Sequence, residues 1–233
     1  VAKMLALNEY IDVLIPRGGE ALQRMCQKES SIPVIIGGFG ISHIFVDESA
    51  DLNRCVDIII NAKTQKPSAC NSLDTLLLHE KIAQKFIELL TPKLKDKQVT
   101  VFAHGVAYDY FKDYPYLQEG KSEDLDREFL SLAMNVKVIA DVYEAVEQLR
   151  LHHASHSDAI LTDSVKNAKI FTHAAGSACV YVNASTRFSD GGQFGLGAEV
   201  AISTQKLHAR GPMALQELTT YQYVCEGDYL TRR

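Results

Sequence analysis

Cys70 is the side chain in this sequence with the clearest capacity for covalent chemistry. It lies in the segment 66–71 (KPSACN), whose proline and small polar residues are typical of a loop. Loops held by a rigid scaffold carry catalytic groups disproportionately often, and a cysteine nucleophile needs an accessible, ionised thiol. An idle loop cysteine is the alternative explanation at this point.

The other four cysteines, Cys26, Cys55, Cys179 and Cys225, are widely and unequally spaced, and the total of five is odd. No CxxC pair occurs, which argues against a zinc ribbon or a redox dithiol. The pattern is typical of a cytoplasmic protein with reduced thiols, most of them buried as small apolar side chains.

Glycines and histidines form two weaker patterns. Gly37, Gly38 and Gly40 follow an apolar run, as in a turn that cradles phosphate, but they do not match GxGxxG and can equally serve a tight turn. The histidines of segment 152–156 lie at the end of a predicted helix. Histidines at that position typically cap the helix and interact favourably with its dipole, so no metal site is predicted.

Several basic residues can bind an anionic substrate, although any one of them is more often a surface charge. They are Arg17, Arg187, Lys206, His208 and Arg210.

Alternating hydrophobic patterns predict the elements that position these residues. Short apolar runs predict strands at 11–15, 33–36, 43–46, 75–78, 99–102, 136–139, 159–161 and 178–182. Spacings of three and four residues predict helices around 22–26 and at 51–62, 80–90, 141–151 and 164–174. Strands that alternate with helices predict an α/β fold with a largely parallel sheet flanked by helices.

Two segments depart from this alternation. Residues 105–126 are polar and aromatic, and we expect a long connection that serves as a mobile flap. Residues 218–224 alternate in polarity, which predicts an exposed strand near the C-terminus. Such an edge pairs readily with another chain, so we expect a homo-oligomer.

Composition excludes several classes of protein. The 233 residues are 46% hydrophobic and 23% charged, which is ordinary for a globular domain. The net charge of −5 argues against nucleic acid as a partner, and no apolar run approaches the roughly 20 residues of a membrane helix. The start at Val1 has neither an initiator methionine nor the anatomy of a signal peptide, so we expect the chain to begin inside a longer one.

Five sequence blocks together resemble one family. They are residues 11–19, 44–52, 61–71, 74–79 and 181–213. They resemble the γ-glutamyl phosphate reductases, also called glutamate-5-semialdehyde dehydrogenases, of the aldehyde dehydrogenase superfamily. The resemblance is to the C-terminal part of these proteins.

The resemblance implies an aldehyde-dehydrogenase-like catalytic domain with a C-terminal oligomerisation strand. It divides the chain into a remnant of the dinucleotide-binding domain (1–42), a catalytic domain (43–182), and a return segment with an oligomerisation tail (183–233).

The resemblance also implies an activity. Cys70 would attack L-glutamyl 5-phosphate and form a thioester, which NADPH reduces to L-glutamate 5-semialdehyde in proline biosynthesis. Covalent catalysis would divide one difficult step into two easier ones. The backbone N–H of Cys70 would help to stabilise the oxyanion.

Binding roles follow for several other residues. Glu128 matches the position at which relatives contact the ribose of the nicotinamide, and Gly38 and Gly40 are assigned to the NADP side of the site. Asn71 is assigned to the substrate because it adjoins Cys70. Ser185, Thr186 and Arg187 are expected, from their chemistry, to hold the substrate phosphate, since arginine presents a bidentate fork to such groups.

One departure bears on the reaction type. Ile36 stands where hydrolytic aldehyde dehydrogenases carry a water-activating glutamate, which favours phosphate over water as the exchanging group. Three alternatives stay open: an oligomerising fragment without turnover, another acylating aldehyde dehydrogenase, and a cysteine hydrolase. The hydrolase would need a histidine near Cys70, and His79 lies at the far end of a strand. The chain alone is expected to be inactive.

Overall fold

The protein is described by a computed structural model that covers residues 1–37, 40–207 and 209–232. Its strands are β1 (Ser42–Val46), β2 (Leu73–His79), β3 (Thr100–His104), β4 (Leu117–Glu119), β5 (Ala133–Ile139), β6 (Ser157–Leu161), β7 (Cys179–Val182), β8 (Ala201–Ser203) and β9 (Gly211–Met213). The first seven form one sheet in the order β4-β3-β5-β2-β1-β6-β7, with every neighbouring pair parallel. Strands β8 and β9 form a separate antiparallel pair.

Helix α1 (Glu20–Glu29) precedes the first strand. The helices that cover the two faces of the seven-stranded sheet are α2 (Leu52–Thr64), α3 (Ala83–Asp96), α4 (Val106–Tyr110), α5 (Val142–Leu151) and α6 (Val165–Ala174). Along β2, Leu76 and Leu78 pack toward α2 and α3, whereas Leu77 packs toward α5 and α6. No helix in the described ranges is long and apolar enough to cross a membrane. The predicted parallel α/β fold is confirmed.

Side-chain caps set where three of these helices begin. The carboxylate of Asp51 accepts hydrogen bonds from the backbone N–H groups of Asn53 and Arg54 at the start of α2. Asp141 and Ser164 cap α5 and α6 in the same way. Each cap satisfies N–H groups that have no partner inside the helix, so the helices begin close to the predicted positions.

Helix α3 differs from the prediction at both ends. It begins at Ala83 rather than at Glu80, because the N–H of Glu80 still bonds to the carbonyl oxygen of Ile139 in the neighbouring strand. It continues through Pro92 to Asp96, beyond the predicted end at residue 90.

The prediction of a mobile flap at residues 105–126 was wrong. The segment contains α4, β4 and a short 3₁₀ helix, Ser122–Asp126. The rings of Phe111 and Tyr114 are buried, and the hydroxyl of Tyr114 donates a hydrogen bond of 2.6 Å to the carbonyl oxygen of Val99. The aromatic residues that gave the segment its unusual composition therefore fasten it to the core.

The first two predicted strands are reduced to a single bridge. Leu14 and Val34 pair in parallel, and no longer ladder forms at 11–15 or 33–36. Pro16 and Pro33 lie beside the bridge and lack the backbone N–H that a longer ladder requires.

The predicted strand at 218–224 does not form within the described chain. Leu218 ends a short 3₁₀ helix, Gln216–Leu218, and the following residues are exposed without regular structure. An edge strand needs a neighbouring backbone for its hydrogen bonds, and this segment pairs with no other strand of the described chain.

Candidate active site

A cavity of about 420 Å³ lies at the amino-terminal ends of the central strands. Cys70 and Asn71 line it just before β2, and Glu128 and Leu130 line it just before β5. Open parallel sheets more often bind ligands at the carboxyl ends of their strands. Here the polar side chains lie on the connections that lead into the strands, so the cavity is at the amino-terminal end of the sheet instead.

The loop that carries Cys70 consists of two successive turns. The N–H of Ala69 donates to the carbonyl oxygen of Lys66 over 3.0 Å, with Pro67 at the second position of the turn, where its fixed φ is favourable. The N–H of Ser72 then donates to the carbonyl oxygen of Ala69 over 2.9 Å. These turns bring Cys70 to the cavity wall between α2 and β2.

The thiol of Cys70 is partly buried, whereas those of Cys55 and Cys179 are buried and that of Cys225 is exposed. Burial raises the pKa of Cys70 to about 11, and the carboxylates of Glu128 and Glu199 add to the increase. These surroundings therefore oppose the ionised thiol that the sequence analysis expects of a nucleophile. Burial and the two nearby carboxylates both disfavour a negative charge on the sulfur.

Asn71 links the nucleophile loop to the segment after β7. Its side-chain amide donates a hydrogen bond of 2.8 Å to the carbonyl oxygen of Ser189. Its own carbonyl oxygen accepts a hydrogen bond of 2.7 Å from the hydroxyl of Thr186. Two hydrogen bonds thus fix the chain beside Cys70 to a segment more than one hundred residues later in the sequence.

A series of side-chain hydrogen bonds continues from Ser189 into the protein interior. The Ser189 hydroxyl bonds to the hydroxyls of Ser157 and Tyr181, and the Ser157 hydroxyl bonds to Nδ1 of His156. Burial lowers the pKa of His156 to about 4, so this imidazole is neutral at physiological pH.

The residues expected to hold phosphate occupy different positions. Arg187 lines the cavity, and its Nε donates a hydrogen bond of 3.0 Å to the side-chain oxygen of Gln65. Ser185 and Thr186 are buried beneath the cavity wall. The hydroxyl of Ser185 accepts a hydrogen bond from the N–H of Arg187, and Thr186 donates to Asn71, so both hydroxyls already have partners in the protein.

The cavity wall carries charged groups of both signs. Its cations are Arg17, Lys66 and Arg187, and its acids are Glu128, Asp190 and Glu199. Sequence reasoning assigned no role to Lys66, Asp190 or Glu199, although all three lie within the blocks that resemble the family. A cation directly before the turn that carries Cys70 was the signal for Lys66.

The other described basic residues that were expected to bind an anionic substrate are not found in the lining of this cavity. Lys206 and Arg210 do not line the cavity, and Arg210 donates a hydrogen bond to the carbonyl oxygen of Gly176. His208 lies outside the described residues.

A second cavity, of about 720 Å³, contains the residues assigned to the cofactor side. Gly40 and Glu128 line it, and Glu128 lines the first cavity as well. A Cβ on Gly40 would lie 2.4 Å from the Cβ of His156, so only glycine fits there. Gly38 lies outside the described residues.

The three histidines of segment 152–156 point to different partners. His152 bonds to Asp126, His153 adopts a left-handed backbone with φ of 53°, and His156 is buried beside Ser157. Within the described ranges, no group of three or more histidine, cysteine or acidic side chains is arranged to hold a metal ion.

Comparison with known proteins gives the same relatives from sequence and from structure. No protein-family model matches the chain. The chain is 57% identical over 232 residues to γ-glutamyl phosphate reductase from Vibrio vulnificus. The alignment covers all of this chain and 56% of that protein. It superimposes on γ-glutamyl phosphate reductase from Thermotoga maritima with a TM-score of 0.91 at 45% identity, covering all of this chain and 55% of that one.

These relatives are γ-glutamyl phosphate reductases. The resemblance inferred from the sequence blocks is thereby confirmed, and the chain spans little more than half the length of the relatives that it matches. An acetylating aldehyde dehydrogenase from Geobacillus thermoglucosidasius, 18% identical, matches all of this chain and 60% of its own with a TM-score of 0.73. The sheet and its flanking helices therefore have an aldehyde-dehydrogenase-like fold.

Proposed function

We propose that this chain forms the substrate side of a γ-glutamyl phosphate reductase of proline biosynthesis. The reaction is the NADPH-dependent reduction of L-glutamyl 5-phosphate to L-glutamate 5-semialdehyde and phosphate. The observation that carries the proposal is a partly buried Cys70 on the wall of a cavity that contains both cations and carboxylates.

The charges of the cavity complement those of the substrate. L-Glutamyl 5-phosphate carries a phosphate and an α-carboxylate, which are negative, and an α-ammonium group, which is positive. Arg17, Lys66 and Arg187 can pair with the two anionic groups, and arginine offers paired N–H donors to phosphate. Asp190 and Glu199 provide acceptors for the ammonium group.

Cys70 performs the covalent step. Its sulfur adds to the γ-carbonyl carbon, and the electron pair of the carbonyl bond moves to the oxygen. The oxyanion then collapses to a thioester while the bond from carbon to the phosphate oxygen breaks, and phosphate leaves with that electron pair. The thiol proton goes to a carboxylate of the cavity, and the candidates are Glu128 and Glu199, whose charges raise the pKa of the thiol. The Cys70 N–H is a donor for the oxyanion that develops in this step.

The described residues fit the nicotinamide ribose of NADP better than its phosphates. Glu128 lines the second cavity, where ribose hydroxyls can donate to its carboxylate, and Gly40 adds no side chain to the lining. The same lining contains Glu123, Asp124 and Asp126, which would repel phosphate. NADPH supplies the hydride when bound, and this chain orients its ribose.

Ser185, Thr186 and Asn71 contribute to this site through position. Their hydrogen bonds hold Arg187 and Cys70 in the same wall. Ile36, whose N–H bonds to Gln205, leaves no carboxylate at that place to activate water.

The division of the chain belongs to the same proposal. Residues 1–42 are the end of a dinucleotide-binding domain, 43–182 the catalytic domain, and 183–233 a return segment with an oligomerisation tail. The exposed tyrosines of the tail, Tyr221 and Tyr223, suit pairing with a second copy of the chain.

Substitution of the nucleophile tests the reaction. In a longer reductase that contains this segment, Cys70→Ala should abolish NADPH oxidation with γ-glutamyl phosphate, whereas the control Cys225→Ala should retain it. The present chain alone should oxidise a negligible amount of NADPH. Reduction by the Cys70→Ala enzyme would refute the covalent route, and full turnover by the chain alone would refute the domain division.

A further inference from the structure

The carboxylate of Asp74 holds two separate backbone segments at the start of β2. Asp74 lies four residues after Cys70 and is 1% exposed. Its Oδ1 accepts a hydrogen bond of 3.0 Å from the N–H of Phe129, and its Oδ2 accepts one of 3.3 Å from the N–H of Ser42. Both oxygens of one buried carboxylate are therefore used by main-chain donors.

The two donors belong to the segments assigned to the cofactor. Phe129 directly follows Glu128, and Ser42 lies two residues after Gly40. Glu128 and Gly40 both line the second cavity. Asp74 thus connects two segments that line this cavity to the strand that follows the nucleophile.

A buried lysine accompanies this carboxylate. Lys63 is fully buried in α2, and its Nζ donates a hydrogen bond of 2.9 Å to the carbonyl oxygen of Ala133, the first residue of β5. Burial lowers the pKa of Lys63 to about 8, and the negative charge of Asp74 opposes that decrease. Burial raises the pKa of Asp74, and the positive charge of Lys63 opposes that increase.

We propose that Asp74 is a positioning residue that sets the placement of Glu128 and Gly40 relative to Cys70, with Lys63 as its buried counter-charge. This role rests on the proposed function, because it assumes that Glu128 and Gly40 orient the cofactor. A carboxylate is required since two N–H groups converge on one side chain. An asparagine would accept from one of them and present its own NH₂ to the other, which leaves two donors face to face.

Asp74→Asn tests the proposal with little change of side-chain shape. Hydrogen exchange at the amide of Phe129 or of Ser42 should accelerate about tenfold or more, because one charge-assisted hydrogen bond is lost. At pH 8.5 the alkylation of Cys70 should also be faster, since Glu128 moves away and its effect on the thiol falls. Glu199 and Arg187, the other charged groups near the sulfur, should be unaffected.

Asp47→Asn is the matched control. Asp47 is also fully buried and accepts several side-chain hydrogen bonds, but it follows the opposite end of β1. This variant can lower the free energy of unfolding without changing exchange at Phe129 or alkylation of Cys70. If Asp47→Asn changed both by the same factor as Asp74→Asn, the positioning role would be refuted.

The unsubstituted protein gives a second measurement that does not depend on a stable variant. The amide of Phe129 should exchange as slowly as amides of β5, and more slowly than that of Leu130. Equal exchange at Phe129 and Leu130 would overturn the proposal.

Kinetics in a longer reductase separate this inference from the proposed function. There Asp74→Asn should raise the KM for NADPH about tenfold and leave the KM for the acyl phosphate within about twofold. An equal rise of both constants would refute the positioning role and leave the reaction standing. If the exchange and alkylation results held but the unsubstituted reductase failed to reduce γ-glutamyl phosphate, the proposed function alone would fail.

Discussion

The hydroxyl of Thr186 donates a hydrogen bond of 2.7 Å to the carbonyl oxygen of Asn71, the residue next to Cys70. Thr186 is fully buried, so this bond is shielded from water. It joins the segment that carries Arg187 to the segment that carries the candidate nucleophile. These two parts of the cavity lining are therefore coupled in the folded chain.

Thr186→Val should lower the free energy of unfolding by about 1–3 kcal/mol, since it leaves the buried carbonyl oxygen of Asn71 without this donor. Urea unfolding followed by circular dichroism measures the change. The control Thr219→Val removes an exposed hydroxyl and should change the free energy by less than about 0.5 kcal/mol. Equal effects of the two variants would contradict a structural role for the Thr186 bond.

Gly40→Ala should be strongly destabilising, by about 3 kcal/mol, because the new Cβ would overlap the Cβ of His156 and approach its backbone nitrogen within 3.1 Å. Thermal unfolding of the variant measures the loss. Gly176→Ala is the matched control, since no atom lies within 4 Å of its added Cβ. That control should be neutral or slightly stabilising through the unfolded state. A Gly40→Ala protein as stable as the control would show that this packing is wrong.

His156 should make the protein sensitive to acid. Burial holds its folded pKa at about 4, below the ordinary 6.5, and nearby Asp158 only partly opposes this decrease. The unfolded chain therefore binds the extra proton first, so stability is complete above about pH 6.5 and falls as the pH drops toward 4. The loss over that range is about 3 kcal/mol.

Urea unfolding of the His156→Gln variant between pH 4 and 7 tests this expectation. Its free energy of unfolding should depend on pH less steeply than that of the unsubstituted protein. His173→Gln, which alters an exposed histidine, should keep the original slope. A His156→Gln slope equal to that of the unsubstituted protein would count against a neutral, buried imidazole.

Native alkylation with iodoacetamide should label Cys70 about tenfold or more faster than Cys55 or Cys179, because both of those thiols are buried. Its rate should rise with pH up to about 11, since the raised pKa of Cys70 keeps the thiol protonated at lower pH. Peptide mapping by mass spectrometry measures the order. Cys225 is the exposed internal reference, and unfolded protein should label all sites similarly. Equal native labelling of Cys70 and Cys55 would argue against an accessible nucleophile.

The regular elements could be predicted because their apolar residues recur at helical or strand spacing, and these same residues are the ones that the fold buries. Helix α2 has an apolar stripe and a capping aspartate, and β2 contains the apolar run Leu76–Leu78 and is buried along its whole length. The segment 105–126 could not be predicted because its order depends on the bond from Tyr114 to Val99 and on aromatic packing against distant strands. Polarity and aromatic content in the sequence do not reveal such contacts.

The candidate site could be predicted only in part. Cys70 was assigned from its sequence block, Glu128 from its match to a position in relatives, and Arg187 from its chemistry. All three line one cavity. The approach of Glu199 and Asp190 to this cavity depends on the path of the chain after β7. No local spacing encodes that path. The raised pKa of Cys70 follows from burial and from the same convergence of carboxylates, neither of which the local sequence around Cys70 reveals.

The neutral thiol also has a consequence for how the protein withstands oxidants. A cysteine with a pKa of about 11 is about a hundredfold less ionised at neutral pH than one at the reference value of 9.0, and peroxides attack the ionised form. Without a bound ligand, the sulfur of Cys70 should therefore be oxidised to sulfenic acid more slowly than a thiol with the reference pKa. Its reactivity would be released only when a bound ligand changes the charge of its surroundings.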